Sequence, residues 1–231
     1  MIRKANRIGL ADHLRNHAHP GGIIVCERLK FIYMKPTKTA GTSILRSTLQ
    51  KQVPGIFHHK DQPEAFKEWL NRITDAELEE YFIFSVVRNP WDRLVSVAAY
   101  FKIPFKDFVL NMDEYCKDEG IRIHSLPLTP YTHLNGKQFV DHICRFESLQ
   151  ADMNLVCDNI GIARSTLPHT NKSKHQHYST YYGPEEIDAV RRIYGSDIEK
   201  YGYSFSTEAN AARLSMSSLK ENWFKLRSRF I

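Results

Sequence analysis

The sequence predicts an α/β domain: a central, mainly parallel sheet with helices on both faces. Three observations carry this. "YFIFSVV", residues 81–87, is a nearly continuous apolar run, the pattern of a strand buried on both sides. Strand-like segments alternate with helix-like ones, the order that winds a parallel sheet. The chain has 231 residues and is 42% hydrophobic, enough for one sizeable core and so for a single domain over 1–231.

The elements follow in order. Residues 1–22 are polar and basic and read as an N-terminal arm that ends at "PGG". Within it, His13, His17 and His19 contain one i,i+4 pair, and a solvated arm is a better reading than a metal site. "GIIVCERLKFIYMK" offers short β-rich pieces, with Phe31–Met34 the best strand. "TSILRSTLQ" carries Ile44, Leu45 and Leu49 at helical spacing. "QPEAFKEWL" is a short amphipathic helix, and Thr74 stands three residues before Glu77 in a capping-box pattern. After the 81–87 strand, Asn89 is an N-cap and Pro90 the first residue of a helix that runs to Phe101.

Residues 103–140 are rich in prolines and polar residues and are expected to be irregular. "FVDHICRF" is a further strand, and "ESLQADMNLVCDNIG" a helix stopped by Gly161. Pro184 opens the helix "PEEIDAVRRIYGSDIEKYG". The tail 206–231 is Ala/Ser-rich and ends in basic "LKENWFKLRSRFI". Its Trp223, Phe224 and Leu226 are expected to pack on the domain or on a second subunit of a homodimer, with an acidic membrane surface as the alternative.

Composition narrows the function classes. The formal charge of +6 suits anionic partners without selecting one. Cys26, Cys116, Cys144 and Cys157 form no C-x-x-C pair, so they read as reduced, partly buried thiols in a reducing compartment. No signal-peptide core and no transmembrane-length apolar run is present, which leads us to expect a soluble, cytoplasmic protein.

Chemistry concentrates at two places. In "YMKPTKTAGTSILRSTL", residues 33–49, a strand gives way to a loop and then to a helix N-terminus. Free amides and the positive end of the helix dipole make such a junction an anion site. Gly41 permits close backbone approach, Thr39, Thr42 and Ser43 add hydroxyl donors, and Lys38 adds a mobile charge. The pattern G-x-x-x-x-G-K-[ST] is absent, so the loop suits one terminal phosphate better than a triphosphate. In "FSVVRNPWDRLVS", Arg88 ends a buried strand and Ser96 follows about two helical turns later. If the two strands are neighbours, both loops open at one sheet edge, where α/β folds bind ligands. Arg88 can fork onto a second phosphate, or pair with Asp92.

These motifs resemble those of the sulfotransferases that use 3′-phosphoadenosine 5′-phosphosulfate (PAPS), most closely the branch that includes carbohydrate sulfotransferases. "KTAGTS" resembles the family's 5′-phosphosulfate loop and "VVRNPWDRLVS" its 3′-phosphate motif. "FVDHICRFESLQADM", "LPHTNKS" and "YYGPEEIDAVRRIYGSDIEKYGYSF" fit in order and spacing, so the likeness covers about residues 30–205. One departure is that Thr37 separates Pro36 from Lys38, and a second lysine, Lys35, flanks the loop.

The resemblance implies a P-loop-like sulfotransferase fold and in-line transfer of a sulfuryl group to a hydroxyl, with adenosine 3′,5′-bisphosphate as product. It implies that Lys38 relieves charge on the leaving phosphate and that residues 39–43, including Ala40, hold the 5′-phosphate. Arg88 and Ser96 would hold the 3′-phosphate. No metal is expected. For the base, His58 and His59 follow the first helix where relatives often carry a histidine, with His59 narrowly favoured and Glu64 in reserve. The loop with His169, Asn171, Lys172, Lys174, His175 and His177 would close over the nucleotide, contact an anionic acceptor, or simply lie on the surface. Arg145 would pair with Glu147 or face the cofactor, with the structural reading favoured. The expected acceptor is a glycan or glycolipid, and the missing anchor points to a bacterial or otherwise cytoplasmic enzyme, at most peripheral at a membrane. An ATP-dependent kinase with a degenerate loop is the first alternative. A polyanion-binding module is the second, but nucleic acid is not an expected partner because such binding would not explain the Arg88–Ser96 spacing.

Overall fold

The computed structural model describes residues 7–16, 21–167 and 176–207. His17, His19, His169, Asn171, Lys172, Lys174, His175 and the tail from 208 lie outside these residues.

Apolar segments build a five-stranded sheet, in spatial order β3 (Phe57–His58), β1 (Ile23–Cys26), β2 (Phe31–Met34), β4 (Phe82–Val87) and β7 (His142–Arg145). The chain enters through α1 (Leu10–Asn16), and β1 (Ile23–Cys26) pairs antiparallel with β2 (Phe31–Met34). A continuous helical stretch follows, made of α2 (Gly41–Ile44), a π-helical turn (Leu45–Leu49) and α3 (Gln50–Gln52). β3 (Phe57–His58) returns antiparallel to β1. Next come α4 (Pro63–Arg72) and α5 (Asp75–Leu78), the latter opened by the expected Thr74–Glu77 capping box. β4 (Phe82–Val87) lies parallel to β2 and leads into α6 (Pro90–Phe101). Asn89 caps α6, accepting from the Trp91 amide at 3.0 Å.

The sheet is not mainly parallel. β2–β4 and β4–β7 are parallel, whereas β1–β2 and β1–β3 are antiparallel. The antiparallel half arises because only a short turn, Glu27–Lys30, joins β1 to β2, too short for a crossover.

Residues 103–140 are also more regular than expected. They form α7 (Phe105–Leu110), α8 (Met112–Tyr115), α9 (Glu119–Ser125), a 3₁₀ turn (Thr129–Tyr131) and a hairpin of β5 (His133–Leu134) with β6 (Lys137–Gln138). Asp118 caps α9 by accepting from the Ile121 amide at 2.9 Å. After β7 (His142–Arg145), α10 (Leu149–Ile160) ends at Gly161, whose φ of 71° is the left-handed stop expected of glycine. The last helical stretch divides at Tyr194 into α11 (Pro184–Ile193) and α12 (Gly195–Tyr201). Buried Tyr194 hydrogen-bonds the Ser125 carbonyl, which fixes the break.

Alternation along the strands splits the core by face. Ile23, Val25, Ile32, Met34 and Ile83 pack with Leu10 and Leu14 of α1, Trp69 of α4 and Leu78 of α5. Ile24, Tyr33, Phe84, Val86 and Cys144 pack with Ile44, Leu49 and α10. Helices therefore cover both faces. A third cluster joins α6 to α7, α9 and α11 through Trp91, Leu94, Phe108, Ile121 and Val190.

The solvated-arm reading is corrected for the described part of 1–22. Arg7 is 2% exposed and donates to the carbonyls of Leu78, Tyr81 and Phe139 and to Asp141. His13 is buried on α1 as well. All four cysteines are free thiols, three of them buried. Among the described residues, no helix is long and apolar enough to cross a membrane.

Candidate active site

The sheet register gathers the chemistry at one edge. Met34 and Ser85 are partners in the parallel β2–β4 pair, so Lys35 and Arg88 leave neighbouring strands at their C-terminal ends. β3 runs in the same sense as β2, with His58 opposite Ile24 of β1, so His58 and His59 emerge at that edge too. Arg145 ends β7 opposite Val87.

The loop between β2 and α2 is tightly curled. Lys38 and Ala40 both take left-handed backbone, with φ of 60° and 61°. For non-glycine residues this costs about 1–2 kcal/mol each, a strain that loops at ligand sites often hold. Ala40 occupies the N-cap position of α2 and offers no side-chain acceptor, so the amides of Gly41 and Thr42 at the start of that helix are not capped by it. Thr42 is exposed and Ser43 is buried beside it. The Thr39 hydroxyl is not available as expected: it is fully buried and donates to the Pro36 carbonyl at 3.1 Å, closing the turn from inside. Lys35 lies across the loop's glycine, where a Cβ on Gly41 would come within 2.8 Å of the Lys35 stem. Its ammonium donates to the Gly21 carbonyl at 3.1 Å, so it braces the loop.

The two anion motifs touch. Arg88 is 6% exposed, and its Nη1 donates to the Lys38 carbonyl at 3.0 Å. Its Nε donates to Asp92 at 2.8 Å, and its guanidinium lies 4.0 Å from the centre of the Phe146 ring. The ion pair with Asp92 and the anion-site geometry therefore coexist, and the pair aims the arginine. Ser96 is 9% exposed, and among the described residues its hydroxyl has no partner. Lys38 Nζ rests 4.3 Å from the centre of the Tyr100 ring. Burial, reinforced by the Arg88 charge, pushes its ammonium down to about 8.

The paired histidines are held in unequal states. His59 Nδ1 accepts from the Ile23 amide at 3.1 Å, so the neutral ring carries its proton on Nε2. Burial, with His58 and Lys60 adding to it, pushes His59 down to about 4. This tautomer makes its free nitrogen a donor, which removes the basis for preferring His59 as the base. His58 Nδ1 donates to Asp61 at 3.2 Å and leaves its lone pair on Nε2. That nitrogen is buried and unpaired against Gly22, where an added Cβ would stand 2.3 Å away. Glu64 is exposed in the first turn of α4.

Other members of this edge, apart from Asp92 as the ion-pair partner of Arg88, were not singled out in the sequence. Tyr100 follows Ser96 by about one turn of α6. His124 lies on α9 inside the stretch read as irregular. Phe146, the first residue after β7, and Asp92 of α6 frame Arg88. Only Asp92 had a spacing signal, its i,i+4 relation to Arg88. Arg145 donates to the Tyr201 carbonyl and lies 5.0 Å from the Tyr203 ring, while Tyr203 holds Glu147 at 3.0 Å. The expected Arg145–Glu147 pair is thus replaced by contacts through Tyr203. His177 accepts from the Ser179 amide and caps a 3₁₀ turn, Tyr178–Tyr181.

The family model described as "Sulfotransferase family" matches residues 21–204, which include every one of these groups. The chain belongs to the sulfotransferase family. An uncharacterized protein of Archaeoglobus fulgidus is 31% identical over 114 residues, which cover 48% of this sulfotransferase and 94% of that protein. No solved structure matches it. Its Lys38 loop and Arg88 motif both fall within the matched span.

Proposed function

We propose that this sulfotransferase moves the sulfuryl group of PAPS to the hydroxyl of a carbohydrate acceptor, releasing adenosine 3′,5′-bisphosphate. The observation that supports this most is the 3.0 Å hydrogen bond from Arg88 to the Lys38 carbonyl, which sets two separated anion sites against each other. A donor with phosphate groups at both ends of one nucleoside fits that arrangement. The residues present fit the nucleotide. Amides of Thr39, Ala40, Gly41, Thr42 and Ser43, with the hydroxyls of Thr42 and Ser43, would hold the 5′-phosphate. Arg88, through its remaining N–H groups, and Ser96 would hold the 3′-phosphate.

In-line displacement develops negative charge on the bridging oxygen. Lys38 supplies the opposing charge there, and its half-buried setting strengthens that interaction. The loop positions the donor by geometry, so orientation carries much of the rate enhancement. We read the fold as P-loop-like, the chain as one domain, and the four free cysteines as suited to a cytoplasmic setting. Tyr100 beside Lys38 is exposed and would border the acceptor, and a glycan or glycolipid is the acceptor class we propose.

The experiment is transfer of radiolabelled sulfate from PAPS to a panel of neutral and acidic oligosaccharides, without added metal. Label in an oligosaccharide ester, lost in Lys38→Ala, is the expected result. Label that stays in PAPS with every glycan, but moves to phenols or amines, would overturn the carbohydrate assignment.

A further inference from the structure

Three imidazoles stand at or beside the phosphate-loop edge, and a proton acceptor for a hydroxyl needs an accessible lone pair. His59 presents a protonated Nε2, and the Nε2 of His58 is sealed against Gly22. His124 differs from both. Its Nδ1 lies 2.8 Å from the Gly120 carbonyl, which can only accept, so Nδ1 carries the proton and Nε2 keeps the lone pair. Among the described residues Nε2 has no hydrogen-bond partner, and it is not sealed off as the Nε2 of His58 is.

Its surroundings tie His124 to the loop. The imidazole stacks on Tyr100, with ring centres 5.2 Å apart and planes 20° from parallel. That same Tyr100 ring carries Lys38 Nζ at 4.3 Å. Phe101 packs edge-on against the imidazole at 5.2 Å. Thr37 of the loop donates to the carbonyls of Ile123 and His124, each at 3.4 Å, which ties the loop to the backbone of α9. The arrangement suits a nucleophile-activating base: an oriented ring, a fixed tautomer and an unpaired nitrogen on a ring that shares Tyr100 with Lys38, the group that relieves the leaving charge.

We infer that His124 is the general base that takes the proton from the acceptor hydroxyl. This rests on the sulfotransferase reading above. As the acceptor oxygen bonds to sulfur, its proton passes to His124 Nε2. The sulfur–oxygen bond to the 5′-phosphate breaks, and its electron pair stays on the phosphate oxygen beside Lys38. The products are a sulfate ester, adenosine 3′,5′-bisphosphate and one proton, released when His124 deprotonates.

The charged groups facing His124 are Lys38 on the loop, Lys60 after β3 and Arg93 on α6, all cationic. Burial, with these charges behind it, pulls the imidazole below its ordinary range despite the opposing Gly120 bond. His124 is therefore neutral and ready at pH 7. Activity should fall as pH drops through a value below the usual imidazole range.

The test compares wild type with His124→Ala, His124→Gln and the double variant His58→Ala/His59→Ala. Transfer from PAPS to methyl glycosides and to water is followed across pH, beside calorimetric titration with adenosine 3′,5′-bisphosphate. The His124 variants should lose about 10²- to 10³-fold in kcat, keep bisphosphate affinity within about twofold, and lose the acidic limb. Added imidazole should restore part of the His124→Ala rate. Long-range ¹H–¹⁵N spectra of wild type should show His124 as the Nδ1–H tautomer. Near-wild-type turnover of both His124 variants, or the opposite tautomer, would overturn the inference. So would loss of the acidic limb only in the double variant. Failure of wild type to bind the bisphosphate would instead overturn the donor reading beneath it.

Discussion

Replacing Arg88 by alanine should separate stability from binding. Three contacts vanish together. The first is the charged donor to the Lys38 carbonyl at 3.0 Å, of a class worth about 1.5–3 kcal/mol. The second is the ion pair with Asp92, whose side chain is 19% exposed against 7% for Arg88. Breaking a buried pair costs about 3–5 kcal/mol, and the partial exposure of Asp92 puts this one below that range. The third is the guanidinium over Phe146 at 4.0 Å, about 0.5–2 kcal/mol. The contacts share one side chain and do not add, so the total expected is about 3–4 kcal/mol. A chain of this size should then lose roughly 6–16 °C in Tm yet remain folded. Calorimetry should show affinity for adenosine 3′,5′-bisphosphate falling about 30- to 150-fold, as loss of a charged contact of about 2–3 kcal/mol requires. In Arg88→Ala/Asp92→Ala the orphaned carboxylate is gone, so about 1–2 kcal/mol should return while binding stays lost. An Arg88→Ala protein within about 1 kcal/mol of wild type and with unchanged affinity would refute this reasoning.

Three further outcomes follow from the same geometry. Because Lys38 is held at about 8, bisphosphate affinity should be flat near neutrality and fall above pH 8 as the ammonium deprotonates. In Arg88→Ala that decline should shift to higher pH, and a flat profile through the alkaline range in wild type would contradict it. Gly21→Ala should cost more than about 3 kcal/mol in chemical denaturation, because a Cβ there would meet the Lys35 carbonyl oxygen at 2.1 Å and Pro36 Cα at 2.8 Å. Gly55→Ala, with a φ of 76° but open space, should cost only about 1–2 kcal/mol. Arg7→Ala should destabilise by about 3–5 kcal/mol, since it strips Asp141 of its charged partner and takes one donor from each of three carbonyls; a change below about 0.5 kcal/mol would return residues near 7 to the role of a loose arm.

What was legible in the sequence was local. Asn89 before Pro90, Thr74 before Glu77 and Gly161 after an apolar periodic run act within a turn of themselves, and each stands as read. The pairing of β1 with β2 was not legible. Their turn has no Asn-Gly or Asp-Gly signal, and Lys30 takes its φ of 49° without being a residue that advertises it. The helices between 105 and 125 are only four to seven residues long, too short for a 3.6-residue period to stand out. At the candidate site, the residue types of the loop and the Arg88–Ser96 spacing could be read directly. Which hydroxyls and imidazoles remain open could not. The Thr39 hydroxyl turns inward to Pro36, His59 is set apart by an Nδ1 that accepts from a backbone amide, and His58 and His124 by whether Nε2 is sealed. The His59 partner lies thirty-six positions away in the chain, and the others, though only three or four positions off, depend on which way each side chain turns, which spacing alone does not encode.

The central claim is a site for a nucleotide phosphorylated at both ends, and calorimetric titration of the full chain tests it most directly. Adenosine 3′,5′-bisphosphate should bind tightly, 5′-AMP weakly, and ATP with magnesium no better than 5′-AMP. Equal binding of all three, or preference for ATP with magnesium, would contradict the account and favour a polyanion-binding or phosphoryl-transferring protein.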